Sequence, residues 1–468
     1  HRVPVWYRDG EKTVGIQAPV EEGWEQDPDT LDTWFSSALW TWSTLIDPEL
    51  SSDYSIPLSD LLARSPDFQK FHPTQVMETG YDILFFWVAR MILMTTYATG
   101  QIPFEVVYLH GMVRTRDGTK MSKSKPETAI DPLESIEEYG TDALRYSLII
   151  GTGPGMDLRL YSEKLESCKK FVNKIWNAGR YILMTIPEGT SIEPPGNVQS
   201  PLAQWLLHRL NQLIENVQSS LERFRLAEVT ESLRTFFWGD FCDWYLEMDK
   251  KPEHSPEDHQ VLAYAFSSLL KLLHPYLPFV TEALWEQLDQ PEMLIGSPWP
   301  TVQENHQFAQ SEFNISLVQQ AISQIRTLRD KANIGLNSKI DARVDSLQHA
   351  GLYKEHAALI ERLARLNSLD VREQKPEVSN ETLSAYFEDT LVQIDASATD
   401  LKQELQNLQK KQQKEEKFLT QSRKKLDNPG FLQKAPDKVV SELKEKVIAT
   451  EKNIEALYKQ IEEISNLV

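Results

Sequence analysis

Seven apolar residues near the C-terminus, Val440, Leu443, Val447, Ile454, Leu457, Ile461 and Ile464, recur in alternating steps of three and four, with Thr450 filling the single gap. A repeat averaging 3.5 residues keeps one narrow stripe of a helix apolar, and such a stripe is stable only against another helix. The same alternation runs upstream through Leu401, Leu405, Leu408, Leu419 and Leu426, diluted by Gln and Lys. Between them, Asn428–Pro436 contains Asn-Pro-Gly-Phe and Lys-Ala-Pro, which reverse a chain. The pattern predicts an antiparallel coiled-coil hairpin over 398–468. Residues 401–468 hold 14 Lys and Arg against 11 Asp and Glu, a basic balance in a chain of net charge −20. A basic hairpin on an acidic chain suits an RNA-facing arm; a purely structural or oligomerising coil fits the same pattern.

The remainder is long enough, at 468 residues, for several cores. The apolar run Ile83–Met94 is interrupted by Arg90 and too short to span a bilayer. Cys168 and Cys242 lie far apart without Cys-x-x-Cys or His-rich neighbours, which predicts neither zinc nor a disulfide framework and suits a reducing, cytoplasmic setting. The acidic balance argues against a generally basic nucleic-acid binder and confines RNA contact to local patches.

The fold class is multidomain, α/β followed by all-α. Residues 1–110 mix strand-like and helical runs as an α/β layer does. Asp32 and Thr33 are placed to cap a helix carrying Trp34, Phe35, Leu39 and Trp40, aromatics dense enough to read as core. Gly140–Ile149 reads as an amphipathic helix with Leu144, Leu148 and Ile149 inward, and Gly151–Leu160 as loop without a dinucleotide fingerprint. Over 163–300, apolar residues at i, i+3 and i+4 alternate with Pro-rich breaks, which predicts a helix bundle. The segment 301–397 combines a helix at Leu317–Ala332 with strands at Ile340–Val344 and Leu391–Ile394.

Chemistry concentrates in Gly111–Leu133, GMVRTRDGTKMSKSKPETAIDPL. After the Asp117-Gly118 turn, Lys120 and Lys123 flank Ser122, with Ser124 following; ammonium and hydroxyl donors in a loop are suited to a phosphate chain, and a solvated surface turn has the same composition. The run HGMVRTRDGTKMSKSK, followed by IDPL and EYGTDALR, closely resembles the second signature of class I aminoacyl-tRNA synthetases. LDTWFSSALW and the basic tail resemble the valine branch of that class, QVMETGYDILFFWVARMIL resembles the family's strand-turn-helix, FVNKIWNAGRYI and FFWGDFCDWYLE resemble the anticodon-binding bundle of its valine, isoleucine and leucine enzymes, and the likeness extends over essentially the whole chain.

The resemblance implies the C-terminal half of a Rossmann-type catalytic domain over 1–110, the KMSKS loop and stem-contact region over 111–162, an anticodon-binding bundle over 163–300, a junction over 301–397 and a tRNA-binding arm over 398–468. It implies ATP-dependent activation of valine and transfer to tRNA(Val), with Mg2+ accompanying ATP and no prosthetic group, metal site, DNA or membrane partner. Lys120 and Lys123 become catalytic; His110, Gly111, Met121, Ser122, Lys123 and Ser124 bind ATP. Trp34, Asp82 and Ile83 form the amino-acid pocket, Asp82 meeting the ammonium, although Asp82 near a helix start also reads as an N-cap. Arg180 and Tyr181 face the anticodon, an aromatic stacking on an unpaired base. Arg326 and Arg329, sharing a helix face, reach tRNA or make surface ion pairs.

Two departures accompany the likeness. Relatives continue KMSKSKGNVIDPL, where this chain has KMSKSKPETAIDPL; Pro126 fixes φ and predicts a stiffer hinge after the loop. The companion His-x-Gly-His nucleotide motif and the editing insertion are not found. The expectation is a fragment or a subunit of a split enzyme, inactive until a missing N-terminal half or partner subunit completes the site. A catalytically inactive tRNA-binding relative, or a fragment of the isoleucine or leucine enzyme, are the alternatives.

Overall fold

The structure is a computed structural model that describes all residues except 122–129, 333, 336, 337, 377–381, 395–397, 427–436 and 466–468, and except the side chains of 398–407, 411, 437–442, 444, 445, 452, 455, 456, 460, 463 and 464. Ser122, Lys123, Ser124, Pro126 and the Asn428–Pro436 reversal therefore lie outside the described residues, as do the side chains of Leu401, Leu405, Val440 and Ile464. The chain forms two compact units, His1–Glu193 with Gln212–Trp238 and Leu262–Val302, and Pro194–Asn211 with Gly239–Val261 and Gln303–Val468. It is mixed α/β with many helices, and among the described residues no helix is long and apolar enough to cross a membrane.

The first unit opens with a hairpin, Val5–Arg8 on Glu11–Val14, and Glu25–Gln26 on the other edge of Val5–Arg8. Asp9 and Gly10 both take positive φ, 48° and 88°, which a two-residue turn needs to match strand twist. Asp32 caps Thr33–Ser36 by accepting from Trp34 N–H. The aromatics that follow are not core: Trp34, Phe35 and Trp40 are 44%, 49% and 62% exposed. The helix is too short to present an inward stripe, so aromatic density misled the core assignment.

The strands Thr74–Gly80 and Phe104–His110 pair in parallel, with Gly80 opposite His110 at their C-terminal ends. The crossover is a 3-10 turn Tyr81–Ile83, a π turn Leu84–Val88 and the helix Ala89–Thr99, ended by Gly100 at φ 71°. Val88, Met91 and Phe104 bury against one another beneath the pair. Next, Val113–Arg114 pairs in parallel with Leu158–Arg159, so the Gly151–Leu160 stretch is not all loop. Asp131 accepts from Leu133 and Glu134 N–H and, with Pro132 in the first turn, starts Pro132–Tyr139. In Thr141–Ser147 Leu144 is buried as expected, but Leu148 is 43% exposed because the helix has ended.

The first unit's helical part packs Ser162–Thr185 against Thr141–Ser147 and Pro278–Trp285. Tyr146 Oη donates to Thr230 O at 2.7 Å. A Cβ at Gly179 would lie 2.5 Å from Leu284 Cδ2, so glycine sets how closely these helices approach. Asp142, buried, accepts from Phe279 and Val280 N–H and caps Pro278–Trp285.

In the second unit, Arg209 bridges Asp240 and Glu312 at 2.8 and 3.3 Å. A four-stranded sheet runs Leu383–Phe387, Thr390–Ile394, Ile340–Ser346, Leu366–Arg372, the last pair parallel. Two of these strands were not anticipated. Leu366–Arg372 is largely exposed and polar and carries no clean apolar alternation. The preceding helix also starts earlier than expected, at Ala309, and ends at Lys331.

The helices Ala398–Leu426 and Asp437–Ser465 pack side by side. Arg423 meets Glu451 at 2.6 Å and Tyr458 Oη donates to Glu416 at 3.1 Å, so they run antiparallel. Val447, Thr450, Ile454 and Leu457 are buried, as are Leu408 and Ser422. Ser422 falls three residues after Leu419 and four before Leu426, so a small polar residue completes the upstream stripe where only leucines had been read.

Candidate functional site

The C-terminal end of a parallel strand pair is where α/β sheets present ligand-binding groups, because the chain leaves the sheet there and its turns converge. In the first unit that end is built by Gly80 and His110. A Cβ on Gly80 would fall 2.8 Å from Asp82 Oδ1 and 3.5 Å from His110 Cε1, so the missing side chain lets the strand end, the turn and the imidazole close up. His110 is half-exposed; Nδ1 lies 2.7 Å from Gly111 O and Nε2 3.3 Å from Glu78 Oε1.

Lys120 reaches the same place. Its Nζ is 4.0 Å from Asp82 Oδ2, with both side chains substantially exposed. Asp82 is not the helix cap that its position also suggested: it lies within the 3-10 turn, and the residue at that turn's N-terminus is Gly80, without a side-chain cap. Ile83, beside it, is 39% exposed. Trp34 is held by Arg90, whose guanidinium carbon sits 5.1 Å from the indole centroid. Thus Arg90 orients the tryptophan by a cation–π contact.

The turn preceding Lys120 is rigidly made. Thr115 and Asp117 hydrogen-bond, Thr119 Oγ1 donates to Asp117 at 3.1 Å, and Gly118 takes φ 91°. The Thr115 and Thr119 hydrogen bonds hold the Asp117 carboxyl below the usual range. Met121 packs with Ile130 against Leu144, Leu160 and Leu165. Its partly buried side chain therefore belongs to that cluster.

Asp157 was missed. Its Oδ1 accepts from Met112 N–H at 2.8 Å and from Tyr81 Oη at 3.2 Å, while Oδ2 pairs with Arg114. The Met112 N–H, then Arg114, push the Asp157 carboxyl down. Asp157 thereby ties the Asp82 turn to the segment that leads to Lys120. The sequence signal was slight: an acid beside Leu158-Arg159 in a glycine-rich stretch. Gly111 supports the same junction, since a Cβ there would be 2.0 Å from Met156 O.

The remaining expected residues lie elsewhere. Arg180 and Tyr181 are both exposed on Ser162–Thr185, in line with exposed Trp176, Asn177 and Met184. They present an aromatic and cationic face. Arg326 is exposed, bonded to Leu363 O at 3.2 and 2.9 Å and placed over Trp244. Arg329 shows no such face: it is 3% exposed and donates to Ala364, Arg365, Gly335 and Ser338 carbonyls. The i, i+3 spacing put it beside Arg326, but the chain folds back over it, and its guanidinium serves the local backbone. Among the described residues no group of three or more His, Cys, Asp or Glu is arranged to hold a metal ion.

Comparison with known proteins places this geometry. Residues 6–161 match the model of class I tRNA synthetases (I, L, M and V), residues 203–344 that of the anticodon-binding domain of tRNA ligase, and residues 400–465 that of the valyl tRNA synthetase tRNA binding arm. Over residues 6–161 the chain is thus similar to class I tRNA synthetases. The valine--tRNA ligase of Bacillus subtilis (strain 168) is 36% identical over 459 residues, 95% of this chain and 51% of its own length. That of Bacillus cereus (strain ATCC 10987) is 38% identical over 455 residues, covering 94% and 50%. The Bacillus licheniformis enzyme is 36% identical over 479 residues, covering 100% and 53%. The chain spans about half the length of the curated relatives it matches. All three are valine enzymes, so the isoleucine and leucine alternatives are not favoured.

Proposed function

We propose that this chain acts as part of a valine--tRNA ligase, activating valine with ATP and transferring it to tRNA(Val). The observation that carries the reading is the 36–38% identity to valine--tRNA ligases over nearly the whole chain. The geometry supports it. Asp82 stands at a strand end with Ile83 beside it, which suits a small branched amino acid: the carboxylate meets the ammonium and apolar walls measure the side chain. Trp34, oriented by Arg90, closes that pocket. His110 and Gly111 flank the adenosine. Lys120 and Lys123, with Met121, Ser122 and Ser124, meet the phosphates.

Carboxylate attack on the α-phosphate expels pyrophosphate, and negative charge builds on the leaving group. Ammonium groups placed there stabilise the transition state more than the bound substrate, so they act on rate. Mg2+ arrives with ATP as part of the substrate. The short strand pair and its crossover read as part of a Rossmann-type domain.

Arg180 and Tyr181 offer a base-stacking face to the anticodon, Arg326 a backbone contact, and the helices Ala398–Leu426 and Asp437–Ser465 a basic coiled-coil arm. The regions 1–110, 111–162, 163–300, 301–397 and 398–468 divide these roles. The reading is tested by ATP–pyrophosphate exchange with valine, isoleucine and leucine, using the chain together with the unmatched half of the Bacillus subtilis relative. Valine-dependent exchange is expected; exchange with isoleucine alone overturns the assignment. An inactive tRNA-binding chain would bind tRNA(Val) with no exchange in the mixture.

A further inference from the structure

Tyr81 shares its 3-10 turn with Asp82 and Ile83, yet no role above is assigned to it. Its ring is exposed, so packing does not explain a tyrosine at this position. The hydroxyl does: it donates at 3.2 Å to Oδ1 of Asp157, 76 residues along the chain. The same oxygen accepts from Met112 N–H at 2.8 Å, and Oδ2 pairs with Arg114, whose guanidinium also meets Tyr81. Arg114 carries the connection onward. Its Nη1 donates to Gly118 O at 3.2 Å, and its backbone bridges Lys120 across the Asp117-Gly118 turn. Tyr81, Asp157, Arg114 and Gly118 therefore form one run of hydrogen bonds from the turn of Asp82 to the turn that ends in Lys120.

The direct contact between those turns, Lys120 to Asp82, is 4.0 Å long and exposed, and such a pair fixes little. The relay is the firmer link, because the Asp157 carboxylate makes charge-assisted bonds within it. A lysine has a flexible stem, so the backbone of its turn decides where its charge is held. That placement has kinetic weight: a shift of about 1 Å in a group acting on the transition state can cost roughly 100-fold in rate.

We propose that Tyr81 is a positioning residue for the activation step: its hydroxyl, through Asp157 and Arg114, sets where the turn holds Lys120 relative to an amino acid seated on Asp82. The inference rests on the valine-activating reading above and adds to it a residue that acts through Lys120. Tyr81→Phe tests it, since only the hydroxyl is lost. The first measurement needs no activity: amide hydrogen exchange over residues 115–121 of the full chain. Exchange there should rise about fivefold, as loss of one hydrogen bond allows, at the parent's melting temperature. Unchanged exchange overturns the relay. A rise throughout the first unit with a lower melting temperature makes the tyrosine structural and overturns positioning. The second measurement is ATP–pyrophosphate exchange, using the chain with the unmatched half of the Bacillus subtilis relative. Tyr81→Phe should lower kcat roughly three- to tenfold and change the KM for valine by less than about twofold. In a Lys120→Ala background the same substitution should have no further effect. An equal loss in both backgrounds, or a loss confined to KM, overturns the proposal. A parent mixture without valine-dependent exchange overturns the functional reading instead, and the amide measurement still decides the relay.

Discussion

Lys120 Nζ lies 4.0 Å from Asp82 Oδ2 at the C-terminal end of the parallel strand pair, joining the residue that ends the charged turn to the one that opens the crossover. Both are substantially exposed, so the pair itself contributes little stability. Its consequence is placement. Lys120→Ala should lower the rate of valine activation roughly 100-fold with no change in melting temperature. Asp82→Asn should instead raise the KM for valine. Rapid-quench measurement of adenylate formation separates the two, and an unaffected rate in Lys120→Ala would remove the lysine from the mechanism.

Gly111→Ala should be costly. Its new Cβ would meet Met156 O and C at 2.0 and 2.2 Å, and backbone atoms cannot swing aside as a side-chain tip does. We expect a loss of about 2–3 kcal/mol, measured by urea unfolding. A variant with the parent's midpoint contradicts this close approach.

Asp157 gives a pH dependence with a definite sign. Its folded pKa lies below the ordinary value of 3.8, chiefly through the Met112 N–H. The stability it adds is therefore fully present above about pH 4 and is lost as pH falls through the lower folded value. Asp157→Asn should be less stable than the parent at pH 7, and the gap should close on acidification. A gap that is constant from pH 7 to pH 2 would count against the assignment.

Arg329 and Arg326 should separate cleanly. Arg329→Met leaves the Ala364, Arg365, Gly335 and Ser338 carbonyls without the guanidinium that joins them and should cost about 1–3 kcal/mol. Arg326→Met should change stability by under about 1 kcal/mol. Equal melting temperatures for the two variants would refute the distinction.

Tyr181→Ala should weaken tRNA(Val) binding by about 1–3 kcal/mol, the usual worth of one stacked base. Filter binding with an anticodon-mutated tRNA is the control. Loss of the same size with both tRNAs would place Tyr181 away from the anticodon.

What could be read in advance followed from local rules. The heptad steps from Val440 to Ile464 required a helix with a partner, and Asp32 marked the start of Thr33–Ser36. What could not be read involved partners distant in the chain. Asp157 looks like any loop acid until Met112, Tyr81 and Arg114 surround it. Aromatic density over Trp34–Trp40 suggested core, yet the helix there is a single turn and leaves three of these rings exposed.

By itself the sequence determined the helical and turn elements, the motif around Lys120 and the family likeness, because periodicity, caps and short motifs are properties of neighbouring residues. Only the tertiary structure decided that Arg329 is a backbone clamp while Arg326 is not, and that Asp157 holds the turn of Asp82 to the strand before Lys120. Burial and electrostatic neighbourhood depend on residues that meet only once the chain has folded, and no local spacing encodes them.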